Sequence, residues 1–134
     1  MKIPKHAVVA VADGEVLNMF RNVGEEGAAK LTAMPHGEVS AENSGSGGRH
    51  QSSSASPSGI QQTEDNFAAG VADVLNKSVL SGKFDHLIVI AAPRTLGELR
   101  KPYHKALSAV LVGEISRDLT GHTIADIEKT IASN

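Results

Sequence analysis

Three stretches of this sequence carry side chains that can do chemistry. The first is Gly45-Ser46-Gly47-Gly48-Arg49-His50-Gln51. Paired glycines let backbone enter crowded spaces, Arg49 offers a fork of donors to phosphate, and His50 can take or give a proton near neutral pH. The second is Arg94 to Lys105, where Arg94, Arg100, Lys101 and Lys105 face one acid, Glu98, and His104 can add charge. It starts just after an apolar run, Leu87 to Ala92, and α/β sheets usually place sites at the carboxyl ends of such strands. Backbone N–H groups of a helix starting there can also hold phosphate. The third is Asp13, a carboxylate at the end of the first apolar run. In two-metal nucleases such a group needs acidic partners near the other strand ends. The run ending Ala91-Ala92-Pro93-Arg94 has none, and Asp13-Gly14 reads better as a turn that wants Asp for backbone reasons.

Other chemistries find no support. There is no Cys, so disulfides, thiolate metal sites and Cys nucleophiles are excluded. The His residues, at 6, 36, 50, 86, 104 and 122, never show the i, i+4 spacing of a helical zinc site, and no metal or cofactor is implied. Gly45-Ser46-Gly47-Gly48 is not followed by the Lys-Ser or Lys-Thr of a phosphate-binding loop, and no Gly-x-Ser-x-Gly elbow is present.

The elements that must position these residues follow from apolar spacing. His6 to Ala12 is a continuous apolar run, as in a strand buried on both faces. Asp13-Gly14 signals a two-residue type I′ hairpin, and Glu15 to Val23 returns as the second strand. Gly24 to Gly27 turns again, and Ala29 to Met34 makes a third strand, ended by Pro35 and Gly37. Residues 37–62 are rich in Ser and Gly, lack periodicity, and read as a long mobile loop within the domain. From Gln62 to Leu80, Phe67, Val71, Val74, Leu75 and Val79 share a helical face, with Gly82 placed for a left-handed cap. Asp85 to Ala92 is the strongest strand. Thr95 and Glu98 have capping-box spacing, and Pro102 breaks that helix and can open the next. Leu111 to Ser116 is the last strand. Thr123 and Asp126 repeat the box before a helix with Ile124, Ile127 and Ile131 on one face.

The order is β-β-β, long loop, α, β, α, β, α: a single α/β domain with a mixed sheet, as in ribonuclease-H-like folds, with right-handed crossovers. At 134 residues the chain holds one core comfortably and two only marginally. Its net charge of −2 argues against coating nucleic acid by charge alone and leaves local basic patches open. No stretch approaches the roughly 20 apolar residues of a membrane span. The first apolar run is also too short for a secretory signal, so the expected location is the cytoplasm.

Several strings then coincide with a known family. Val9-Ala10-Val11-Ala12-Asp13-Gly14, Gly47-Gly48-Arg49-His50, Phe84-Asp85-His86-Leu87-Ile88-Val89, Ala92-Pro93-Arg94-Thr95-Leu96-Gly97-Glu98-Leu99-Arg100 and Ile115-Ser116-Arg117-Asp118-Leu119-Thr120 resemble, in order, motifs of the bacterial host-attachment proteins. That family's domain is similar to the middle domain of archaeo-eukaryotic class-one release factors and their ribosome-rescue relatives. The resemblance implies ribosome-associated work: RNA binding without hydrolysis, or peptidyl-tRNA hydrolysis in rescue. Release factors hydrolyse through a Gly-Gly-Gln loop, whereas here Gly47-Gly48 is followed by Arg49-His50 and Gln51 comes two positions late. The leading reading is a translation-associated module that binds ribosomal or transfer RNA, with Arg49, Arg94, Arg100, Lys101 and Lys105 as phosphate contacts. The enzymatic alternative places peptidyl-tRNA hydrolysis at Gly47, Gly48, His50 and Gln51. A third is a regulatory or attachment-linked module that contacts a protein partner. The sequence does not set the oligomeric state.

Overall fold

The computed structural model describes residues 1–40 and 57–134. Nine elements follow in order: β1 (Val8–Ala12), β2 (Leu17–Asn22), β3 (Leu31–Met34), α1 (Pro57–Leu80), β4 (Leu87–Ala91), α2 (Pro93–Arg100), α3 (Lys105–Val110), β5 (Leu111–Ser116) and α4 (Ile124–Ala132). The strands form a five-stranded sheet in the order β3-β2-β1-β4-β5. β1, β2 and β3 pair antiparallel. β4 and β5 run parallel to β1, each reached through helix.

The two middle strands are buried along their whole length, and their alternation divides the core in two. Val8, Ala10 and Ala12, with Leu87, Val89 and Ala91, face α1, α2 and α3 through Val71, Leu75, Leu96, Leu99 and Leu107. Val9, Val11, Ile88 and Ile90 face α4 through Ile127 and Ile131, with Ile3 closing the same cluster. The three-meander, two-parallel arrangement expected from the apolar runs is therefore present, as a sheet with helices on both faces.

Local chemistry departs from the expectations at several points. The first hairpin is not a type I′ turn, because neither Asp13 nor Gly14 takes a positive φ. Instead the Asp13 carboxylate Oδ1 accepts from the backbone N–H groups of Glu15 and Val16, both at 2.7 Å, so the side chain rather than left-handed backbone shapes the turn. The helix expected from Gln62 begins at Pro57, shortening the 37–62 loop from its far end. Proline is well tolerated in a first helical turn, where its missing N–H has no partner to lose. Residues 37–40 carry no regular structure, and 41–56 lie outside the described residues.

The Thr95–Glu98 box does not start α2. That helix starts two residues earlier at Pro93, with Ala92 as N-cap and no side-chain cap bond, so Pro93 rather than Thr95 sets the boundary. Pro102 ends α2 without opening α3, which starts at Lys105 with His104 as its cap, adding a helix to the expected order. In α4, Thr123 caps as its spacing indicates, accepting from Asp126 N–H at 3.1 Å. Ile127 and Ile131 are buried there, but Ile124 is exposed. Gly82 ends α1 with φ of 72°. Its N–H donates to Val79 O and that of Lys83 to Ser78 O, satisfying carbonyls the helix end leaves bare.

Candidate RNA-contact surface

The parallel strands β1, β4 and β5 bring three segments to one edge of the sheet, at their carboxyl ends. Asp13 follows β1, Pro93 and Arg94 follow β4, and Arg117 to Thr120 follow β5. The Thr120 hydroxyl lies 2.8 Å from Asp13 Oδ2 and 2.8 Å from Asp118 Oδ1, joining segments 107 residues apart. Burial pushes the Asp13 pKa up, but the hydrogen bonds from Glu15 N–H, the Thr120 hydroxyl and Val16 N–H outweigh it and leave the pKa below its ordinary value. Asp13 is thus a turn-former that also latches the sheet edge. Among the described residues no group of three or more acids or histidines is placed to hold a metal ion.

Arg94 reaches Asp65 on α1, Nη2 to Oδ2 at 3.4 Å, and Gln61 donates to the other oxygen of Asp65 at 3.0 Å. Arg100 places Nε at 3.0 Å and Nη2 at 2.6 Å from a single oxygen, Oε1 of Glu114 on β5, which raises its pKa. Lys101 pairs with Glu98 at 2.8 Å, one turn back on α2. Lys105 is exposed and makes no ion pair with any described residue. The basic stretch is therefore mostly charge-compensated, by Asp65 and Glu114, which lie outside it in the sequence, and by Glu98 within it. The basic partners are exposed, so a phosphate can reach them from solvent, but it must displace acids that are themselves partly buried.

Asn76, on α1, fixes the shape of this surface. Its Nδ2 donates to Pro102 O at 2.9 Å, and its Oδ1 accepts from His104 N–H at 2.8 Å. The break at Pro102 leaves both backbone groups without helical partners. The exposed His104 ring caps α3, with Nδ1 accepting from Ala106 N–H at 2.9 Å. Asp65, Asn76, Glu114 and Thr120 were not singled out from the sequence. Each is a polar residue whose importance lies in a partner more than ten positions away, and no local spacing signals that. Gly47, Gly48, Arg49, His50 and Gln51 lie outside the described residues. A cavity of about 520 Å³ opens between Met1–Lys2, the Glu26–Ala29 turn and α4, and none of the candidate residues lines it.

Among the described residues no helix is long and apolar enough to cross a membrane. A search of curated proteins found no match to the chain. A comparison with family models matches residues 6–131, from two residues before β1 to the buried Ile131 of α4, to the bacterial archaeo-eukaryotic release factor family 12, and the chain belongs to that family.

Proposed function

We propose that this protein is a translation-associated module that docks on ribosomal or transfer RNA through the Arg94–Lys105 segment. The single observation that carries this reading is membership of a release-factor family over nearly the whole chain. The geometry supports it. Arg94, Arg100, Lys101, His104 and Lys105 are all exposed on one continuous stretch of α2, its following turn and the start of α3. Asn76 and Glu114 hold that stretch in a fixed shape. Phosphate contacts of this kind position RNA without reading sequence.

The test is co-sedimentation of the purified protein with ribosomes at low and moderate salt, comparing wild type with the Arg94→Glu, Arg100→Glu double variant. The expected result is salt-sensitive binding that the double variant loses. Unchanged binding would overturn docking through this segment, and no binding at any salt would direct attention to a protein partner.

Family membership also favours a second reading, peptidyl-tRNA hydrolysis through Gly47-Gly48. The described chain leaves at Ser40 and returns at Pro57, and both ends lie on α1. Ser40 O sits so close to Gly70 that a Cβ there would come within 2.4 Å. The same helix holds Arg94 through Asp65. Release activity that survives changes at Gly47, Gly48 and Gln51 together would contradict hydrolysis by this loop.

A further inference from the structure

Arg100, central to RNA docking, is already occupied by a carboxylate. Both contacts fall on Glu114 Oε1, while Oε2 is buried without a hydrogen-bond partner. The Tyr103 hydroxyl is also buried without a partner. Burial first, and then the Glu114 charge, push the Tyr103 pKa up, so the hydroxyl keeps its proton. The hydroxyl stands against the Glu114 carboxylate, close enough for a weak hydrogen-bonding contact that also favours its protonated form, but the two do not reach full hydrogen-bond geometry. Among the described residues a donor and an acceptor thus face each other without a well-formed bond, whereas buried polar atoms in a purely structural fastening are normally satisfied.

We infer that Glu114 is an intramolecular stand-in for RNA phosphate, holding Arg100 while the surface is free and yielding it when phosphate arrives. This rests on the RNA-docking reading and adds how the contact is controlled. Arg100 is exposed, and its Nη1 makes no hydrogen bond with any described residue. A phosphate can therefore approach from solvent and take the guanidinium through a two-pronged contact. Withdrawing Arg100 strands a half-buried carboxylate, with side-chain exposure of 18%, and stranding such a charge is costly. Tyr103 lowers that cost, because its hydroxyl, already against Glu114, completes its hydrogen bond to the carboxylate that Arg100 has left. The exchange moves no proton between groups; one hydrogen bond to the carboxylate replaces another.

The test titrates full-length protein with fluorescently labelled bulk transfer RNA at low and moderate salt, alongside melting curves. Glu114→Gln keeps the shape and removes the competing charge, so it should bind about 3- to 10-fold more tightly, the size of one modest charge pair. Arg100→Gln should weaken binding, and the double variant Arg100→Gln, Glu114→Gln should show no gain over Arg100→Gln alone. Tyr103→Phe should bind more weakly than wild type. Should Glu114→Gln melt below the assay temperature, Glu114→Asp, whose shorter arm draws the oxygen back from Arg100, is expected to show the same gain. Wild-type binding with no tightening in these variants overturns the stand-in and leaves the docking reading in place. Tightening that persists without Arg100 overturns it too, as a general effect of lost negative charge. Absence of binding by wild type and every variant overturns both readings, while binding by Glu114→Gln alone supports both.

Discussion

Asn22 is the buried polar side chain around which the amino-terminal segment is fastened, with no exposed surface. Its Nδ2 donates to Ile3 O and Pro4 O, at 3.3 and 3.1 Å, and its Oδ1 accepts from Gly24 and Lys30 N–H, both at 2.9 Å. Asn22→Ala leaves those backbone groups without partners, and should cost on the order of 3 kcal/mol. The midpoint of urea unfolding measures it, and a cost under about 1 kcal/mol would mean that water replaces the lost bonds. Asp13 gives a prediction in pH. Its folded pKa lies below the ordinary 3.8. The stability it adds is therefore complete above that value and is lost as pH falls through the lower, folded value. Thermal melts should show wild type losing stability below pH 3.8 more steeply than Asp13→Asn. Parallel curves would show that the Thr120 and turn hydrogen bonds do not favour the ionised form.

At the scale of elements, continuous apolar runs predicted strands well because burial on both faces leaves no room for alternation. Ile88, fully buried between β1, β5 and α4, tests the point. Ile88→Ala should cost about 2–5 kcal/mol by lost contact and residual cavity, read as a fall in melting temperature. A loss under about 1 kcal/mol would mean that the core collapses around the missing atoms. Helix boundaries were read less well. A capping box is a local pattern, and at α2 a proline two residues upstream set the boundary before Thr95 could. At α4 nothing competed, and the same spacing gave the cap. Hairpin chemistry shows a similar conflict: Asp-Gly suits left-handed backbone, yet a side-chain acceptor closes the turn without it.

For the whole molecule, the charge pattern matters more than the net charge. Arg94, Arg100 and Lys101 draw their acids from α1, β5 and α2 respectively, so a stretch that reads as basic along the chain is close to neutral in space. The proposed RNA docking would therefore have to displace acids, and binding should be modest and salt-sensitive. In ribosome co-sedimentation, the Arg94→Glu, Arg100→Glu variant should lose binding at a salt concentration where wild type retains it. Equal loss for both proteins would place the RNA contacts elsewhere on the surface.

The sequence by itself determined the strands, the α/β class, most of α1 with its Gly82 cap and the likeness to release factors. All of these follow from apolar spacing, backbone-restricting residues and contiguous strings. Tertiary structure alone decided what the polar residues do. Asp13 meets Thr120 across 107 positions, Arg100 meets Glu114 across 14 and Asn76 clamps the Pro102 turn from α1. Apolar side chains are sorted by a non-directional force that leaves a period in the sequence. Hydrogen bonds and ion pairs depend on distance and angle between particular atoms, and those exist only once the sheet has brought its strand ends together.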